Sequence, residues 1–216
     1  MIDVRMFTVG PLQENCFIVR PKDAAAAVIV DPGEEADRLL KALQDLQVET
    51  LEAILLTHTH FDHIGAVAAV ARATGAPVYC PELEKEILAE PNRYMPTQMF
   101  GSFEGYDADL TVSGGEALEL AGMTIDVVFT PGHSPGHVTY AIRDEQALCS
   151  GDVLFQGSVG RTDLPGGDWP TLLSSIESLM GAHGAETTVY PGHMGITTLG
   201  RERATNPFLR ELAHGS

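Results

Sequence analysis

Cysteine and tryptophan are scarce in this chain: 3 and 1 of 216 residues. Cys16, Cys80 and Cys149 are odd in number, widely spaced and set in apolar, strand-like surroundings. That argues against a disulfide framework and for three buried, reduced thiols, as in a cytoplasmic protein. Basic residues are also few, 13 Lys and Arg against 30 Asp and Glu, for a formal charge of −17. Such a balance repels a phosphate backbone unless the cations cluster, and these are scattered, so nucleic acid is not an expected partner. No run is long and apolar enough to span a membrane. The opening Met1-Ile2-Asp3-Val4-Arg5-Met6 lacks the basic segment and apolar stretch of a secretory signal. What remains is enough length for one sizeable core, and a single domain over residues 1–216 is expected.

Short apolar runs at 2–9, 15–20 and 26–30, separated by Gly10-Pro11 and Pro21-Lys22-Asp23, predict an antiparallel meander. Ala36, Leu39, Leu40, Leu43 and Leu46 recur with helical spacing over 34–47. Then come a strand at 51–56, a helix ending near Thr74 and Gly75, a strand at 77–80 and a helix at 81–90 opened by Pro81. Residues 91–115, with Met95, Met99, Phe100, Phe103 and Tyr106, read as a long loop, with room for a short helix, that either walls a cleft or folds over the core. A second series follows: strands at 116–120, 123–129, 138–142 and 146–150, and a helix at 169–180 capped by Asp168 with Pro170 in its first turn. A strand at 187–190 and a helix at 201–212 close it. Two similar halves with no linker predict two sheets packed face to face with helices outside.

The chemistry is concentrated in Thr57-His58-Thr59-His60-Phe61-Asp62-His63, between the 51–56 strand and the next helix. His58 and His60 are two apart in extended chain and point the same way. Asp62 and His63 lie on the turn and face a second point. Imidazoles and carboxylates are ligands for a borderline divalent cation such as zinc. Each later strand delivers another: Thr130-Pro131-Gly132-His133, Ser150-Gly151-Asp152 and Tyr190-Pro191-Gly192-His193. Seven donors partition into His58, His60 and His133 for one cation and Asp62, His63 and His193 for another, with the two oxygens of Asp152 between them. Two metals so placed suit a hydrolytic clamp. Asp31, at a strand end before Pro32-Gly33, is read either as a turn cap or as a hydrogen-bonding support of the histidine loop. His137 is read as a support and not a ligand. His183 and His214 are expected in solvent, and Trp169 in the core.

The series His-x-His-x-Asp-His, Pro-Gly-His, Gly-Asp, Pro-Gly-His resembles the metallo-β-lactamase superfamily over nearly the whole chain. Within it, Asp152 stands where the resembled β-lactamases carry cysteine. The stretches 157–168 and Thr205-Asn206-Pro207-Phe208 are similar to the short bacterial subgroup of glyoxalase II, the hydroxyacylglutathione hydrolases. The resemblance implies an α/β fold of αββα sandwich type, with two mixed β-sheets and helices outside. It implies two divalent metal ions, zinc first and iron or manganese also compatible. The activity implied is hydrolysis of S-lactoylglutathione or a related small-molecule thioester, with Asp62 orienting the nucleophile. Arg161 is read either as a partner for a substrate carboxylate or as an internal ion pair with Asp163 or Asp168. The longer glyoxalase II enzymes add a C-terminal helical domain and carry a substrate-contacting tyrosine where Gly195 stands here. Persulfide dioxygenases resemble the same pattern and imply an alternative: one iron on His58, His133 and Asp152. A closed, purely structural metal module fits seven donors poorly.

Overall fold

Residues 1–94 and 101–209 are described in the computed structural model of the chain. Strands β1 (Ile2–Val9), β2 (Glu14–Pro21) and β3 (Ala26–Val30) form the expected antiparallel meander. Helix α1 (Ala36–Asp45) then carries the chain back, so that β4 (Thr50–Leu55) lies parallel to β3. The turns α2 (Phe61–Ile64) and α3 (Val67–Thr74) lead in the same way to β5 (Val78–Pro81). These strands and β6 (Leu110–Val112) make a six-stranded sheet in chain order. The second sheet contains β7 (Ala117–Leu120), β8 (Met123–Phe129), β9 (Val138–Ile142) and β10 (Ala147–Gly151). After a two-stranded hairpin, β11 (Leu154–Phe155) and β12 (Ser158–Val159), it is completed by β13 (Thr188–Pro191) and β14 (Thr197–Thr198). Its order is β14-β13-β10-β9-β8-β7. Both sheets are mixed, and the fold is an αββα sandwich.

Side-chain alternation along each strand explains the layers. Phe17, Val19, Val28, Val30, Ala53 and Leu55 face Ile125, Val127, Val138, Tyr140 and Cys149 between the sheets. The intervening Ile18, Ile29, Ile54 and Leu56 turn outward under Leu39, Leu43, Val67 and Val70 of the first helical layer. On the other side Ala141, Leu148 and Val189 pack beneath Leu172, Ile176 and Leu179 of the helix Trp169–Ala182. Each fully buried Leu, Ile or Val contributes about 1.5–3 kcal/mol of transfer free energy. Tyr140 is buried in the inter-sheet layer, and its hydroxyl donates to the Leu56 carbonyl at 2.8 Å.

Some elements differ from expectation. The 91–115 stretch carries the short helix allowed for, a turn at Pro91–Tyr94, but it also contains a parallel edge strand on β5, Leu110–Val112. Three residues are too few to show period-two alternation. Met95, Met99 and Phe100 lie outside the described residues, whereas the Phe103 ring stands 5.5 Å from that of Phe61. Pro81 closes β5 instead of opening a helix, and a 3-10 turn at Glu82–Glu84 precedes the helix Lys85–Ala89. Among the described residues the last α-helix is Leu199–Thr205, followed by a 3-10 turn at Pro207–Leu209, so the expected 201–212 helix is interrupted and its end lies outside those residues. Pro207 pushes Asn206 to extended geometry, ψ 120°, and stops the helix there. Residues 210–216, with His214, lie outside the described residues.

All three cysteines are free and buried. Burial raises each thiol pKa, that of Cys149 to about 12. The native protein is therefore expected to leave all three thiols unreacted toward a water-soluble disulfide reagent near pH ~8. All three should react after unfolding; one fast native thiol would contradict the burial. No helix among the described residues is long and apolar enough to cross a membrane.

Candidate metal centre

The parallel strands β3 and β4 end at one rim of the first sheet, and there the chain places Asp31 and the histidine loop. The facing rim of the second sheet carries the segments after β8, β10 and β13, which bring His133, Asp152 and His193. The seven residues expected to be ligands converge between these rims.

His58 Nε2 and His133 Nε2 stand 3.1 and 2.8 Å from His60 Nδ1. Their tautomers follow from the other ring nitrogens. Thr57 Oγ1 donates to Asp31 Oδ2 at 2.6 Å, so it accepts from His58 Nδ1–H at 3.0 Å. His133 Nδ1–H donates to the Arg161 carbonyl at 2.7 Å. Both Nε2 atoms therefore present lone pairs to the same point, and a single His60 proton cannot satisfy both. Burial, with the neighbouring rings, holds His58 far below the usual imidazole range and His60 at about 4. Three ring nitrogens converging in this way are what a cation resolves.

Asp62, His63 and His193 form a second group of donors close to one another. Asp31 Oδ2 accepts from His63 Nδ1–H at 3.0 Å, which aims Nε2 at the gap. That Nε2 and Asp152 Oδ1 are both buried without a hydrogen-bond partner, 3.3 Å apart. Asp62 Oδ2 lies 3.3 Å from His193 Nε2. Burial opposes the charged forms of His63 and Asp152. Their mutual attraction outweighs it, helped by Asp62 for the imidazole and by His133 and His193 for the carboxyl, leaving the imidazole pKa raised and the carboxyl pKa lowered.

Asp152 joins the two groups. Its Oδ2 is 3.5 Å from both His133 Nε2 and His193 Nε2, while Oδ1 faces His63. Below it, the Asp152 N–H donates to His137 Nε2 at 3.1 Å, so His137 Nδ1–H donates to Thr130 Oγ1 at 3.0 Å. Both nitrogens of His137 are thereby taken up by hydrogen bonds. Asp31 likewise supports the loop, accepting also from Thr57 N–H at 2.8 Å. Arg161 is exposed and makes a two-point pair with Asp163, Nε to Oδ1 at 2.6 Å and Nη2 to Oδ2 at 2.8 Å. Its backbone carbonyl, not its guanidinium, reaches the centre.

Glycine makes the close approach possible. A Cβ on Gly192 would lie 2.3 Å from Asp152 Oδ1 and 2.7 Å from His63 Cε1. Gly151 has φ +47°, and a Cβ there would meet His137 Nε2 at 2.6 Å.

Sequence reasoning missed three buried polar residues at these rims: Glu14, Asn15 and Glu84. Glu14 Oε1 lies 3.7 Å from His63 Nδ1, and neither of its carboxyl oxygens has a hydrogen-bond partner. Burial pushes that carboxyl well above its usual range. None of the three sits in a spaced motif. The one available signal was polarity inside otherwise apolar strand neighbourhoods.

Paired donor sets at the rims of an αββα sandwich define a class, that of metal-binding hydrolase folds. The model of the metallo-β-lactamase superfamily matches residues 9–193, and the chain belongs to that superfamily. It is 39% identical to "Probable metallo-hydrolase YqgX" of Bacillus subtilis, over 95% of this chain and 96% of that protein. It is 34% identical to hydroxyacylglutathione hydrolase GloC of Haemophilus influenzae, over 96% and 98% of the two chains. Among solved structures, the BLEG-1 B3 metallo-β-lactamase is 42% identical with a TM-score of 0.89, covering 97% of this chain and 99% of that one. TTHA1623, solved in a di-iron-bound form, is 40% identical with a TM-score of 0.82, covering 95% and 100%.

Proposed function

We propose that the chain is a dinuclear metal-dependent hydrolase of small-molecule thioesters, of the hydroxyacylglutathione hydrolase type. The observation that carries the reading is the position of Asp152, one carboxylate between two three-donor groups, with a buried oxygen that has no hydrogen-bond partner. His58, His60 and His133 would hold one divalent cation, Asp62, His63 and His193 the other, and Asp152 both. Bound there, such a pair supplies Lewis acidity toward a carbonyl and activates water near neutral pH. The di-iron form of TTHA1623 supports iron beside zinc and manganese as the resident metal.

The chain's own groups do the rest. Asp31 and the Arg161 carbonyl each accept the Nδ1 proton of a ring, His63 and His133 respectively, and so turn Nε2 of both toward the gap. Asp62 is more exposed than Asp152 and stands where a carboxylate can orient an incoming water. The Arg161–Asp163 pair is solvent-screened and weak, so a substrate carboxylate can replace Asp163 on the guanidinium fork. Phe61 and Phe103 place apolar surface beside the histidine loop, suited to an acyl group or thiol stem.

The test is metal content joined to a substrate panel: S-lactoylglutathione, the same acyl group on a thiol other than glutathione, and a β-lactam. Two metals per chain and thioester hydrolysis, lost to a chelator and restored by the metal, are expected. Hydrolysis confined to the β-lactam would overturn the substrate assignment. One iron per chain with oxygen consumption on a persulfide would replace the hydrolase with the dioxygenase reading.

A further inference from the structure

Each of the two donor groups straddles the gap between the sheets. His58, His60, Asp62 and His63 hang from the first sheet; His133 and His193 come from the second. Metal sites tolerate misplacement of only about 0.5 Å. The apolar layer between the sheets is non-directional and cannot set that distance alone. Beside each donor group, however, one buried polar side chain bonds to both rims.

Glu84 follows β5 of the first sheet. It accepts from Thr59 N–H at 2.7 Å and Thr59 Oγ1 at 3.0 Å, and Thr59 separates His58 from His60. From the second sheet's rim it accepts from Gly136 N–H at 2.9 Å and from Ser134 Oγ, next to His133. Asn15 opens β2. Its N–H donates to the Gly192 carbonyl at 2.7 Å, and its Nδ2 donates to those of Pro191 at 3.1 Å and Met194 at 2.9 Å. These carbonyls bracket His193. Thr8 Oγ1 donates to Asn15 Oδ1 at 2.9 Å and fixes the amide's orientation.

We propose that Glu84 and Asn15 are positioning residues that clamp the two cation sites separately across the sheets. Glu84 serves the site of His58, His60 and His133; Asn15 serves that of Asp62, His63 and His193. The inference rests on the dinuclear reading above. Glu84 meets four donors with two acceptor oxygens, so Glu84→Gln keeps the shape but turns an N–H₂ group on one of the two rims. Asn15→Asp keeps the shape and sets an acceptor against two carbonyls.

The experiment measures zinc affinity and the occupancy of each position, by competition titration and by anomalous diffraction from zinc-loaded crystals. Thermal unfolding of the metal-free variants runs beside it. E84Q is expected to weaken the first site by about 10- to 100-fold, the range for losing a group that orients a ligand, and to leave the second filled. N15D is expected to do the reverse. Should either isosteric variant fail to fold, Ser134→Ala and Thr8→Val each remove one hydroxyl and should shift the same site in the same direction, by less. Parallel loss at both sites, as general loosening would give, overturns the clamps; so does unchanged affinity at both. A wild-type chain that takes up no zinc pair would instead sink the dinuclear reading itself.

Discussion

Asp152→Ala is expected to release both cations and to lower kcat/KM by more than about 100-fold, beyond the roughly 10- to 100-fold cost of losing a residue that only supports a ligand. The reason is geometric. Asp152 approaches His133 and His193 at 3.5 Å through one oxygen and His63 at 3.3 Å through the other, so its loss removes a donor from both sets at once. Removing it also leaves the His63 and His193 imidazoles, whose charged forms Asp152 favours, with less to neutralise them. Metal analysis of the purified variant together with thioester turnover reads the result. Full turnover with two metals bound would remove Asp152 from the bridging role.

Gly192→Ala should also weaken the centre, although it adds one methyl group. The backbone there has little room to withdraw: Gly192 N–H donates to the Gly151 carbonyl at 2.9 Å, and the Gly192 carbonyl accepts from Asn15 N–H at 2.7 Å. The new Cβ would stand 2.3 Å from Asp152 Oδ1, so the carboxylate must swing away from His63. Overpacking of this kind costs about 1–3 kcal/mol in a tight interior. Here the displaced atoms are the proposed ligands, so the expectation is a folded chain with affinity for the second cation reduced by at least about tenfold, since a 1.4 kcal/mol loss is already a factor of ten. A crystal structure of the variant with Asp152 unmoved and both positions filled would refute it.

The two sheets and the seven donors were legible in the sequence for a physical reason. The buried strands are apolar runs closed by Gly or Pro turns, and their ends carry side chains that have no place in a core. Asp31 and His137 were legible as supports because they neighbour strand ends and motif residues. The hairpin of β11 and β12, and β14, escaped notice because two-residue strands have no measurable periodicity. The edge strand β6 was lost in a stretch read as loop. Glu84 and Asn15 escaped for another reason: a single buried acid or amide looks the same as a surface one until its four or so partners are assembled from distant parts of the chain. Arg161 illustrates the converse. Its side chain makes the ion pair with Asp163 that was one of the two readings, while the role of its carbonyl in orienting His133 left no trace in the sequence.

The bond from Asn15 to Met194 has a consequence for biosynthesis. It joins positions 179 residues apart, at the mouth of the centre. At roughly 5–20 residues per second of synthesis, the histidine loop is therefore made many seconds before the strand end it must face. A nascent chain can offer a cation three imidazoles and an aspartate early, but the proposed coordination shell would be enclosed only after the late strands have docked. On the dinuclear reading, metal capture would thus belong to the last stage of maturation.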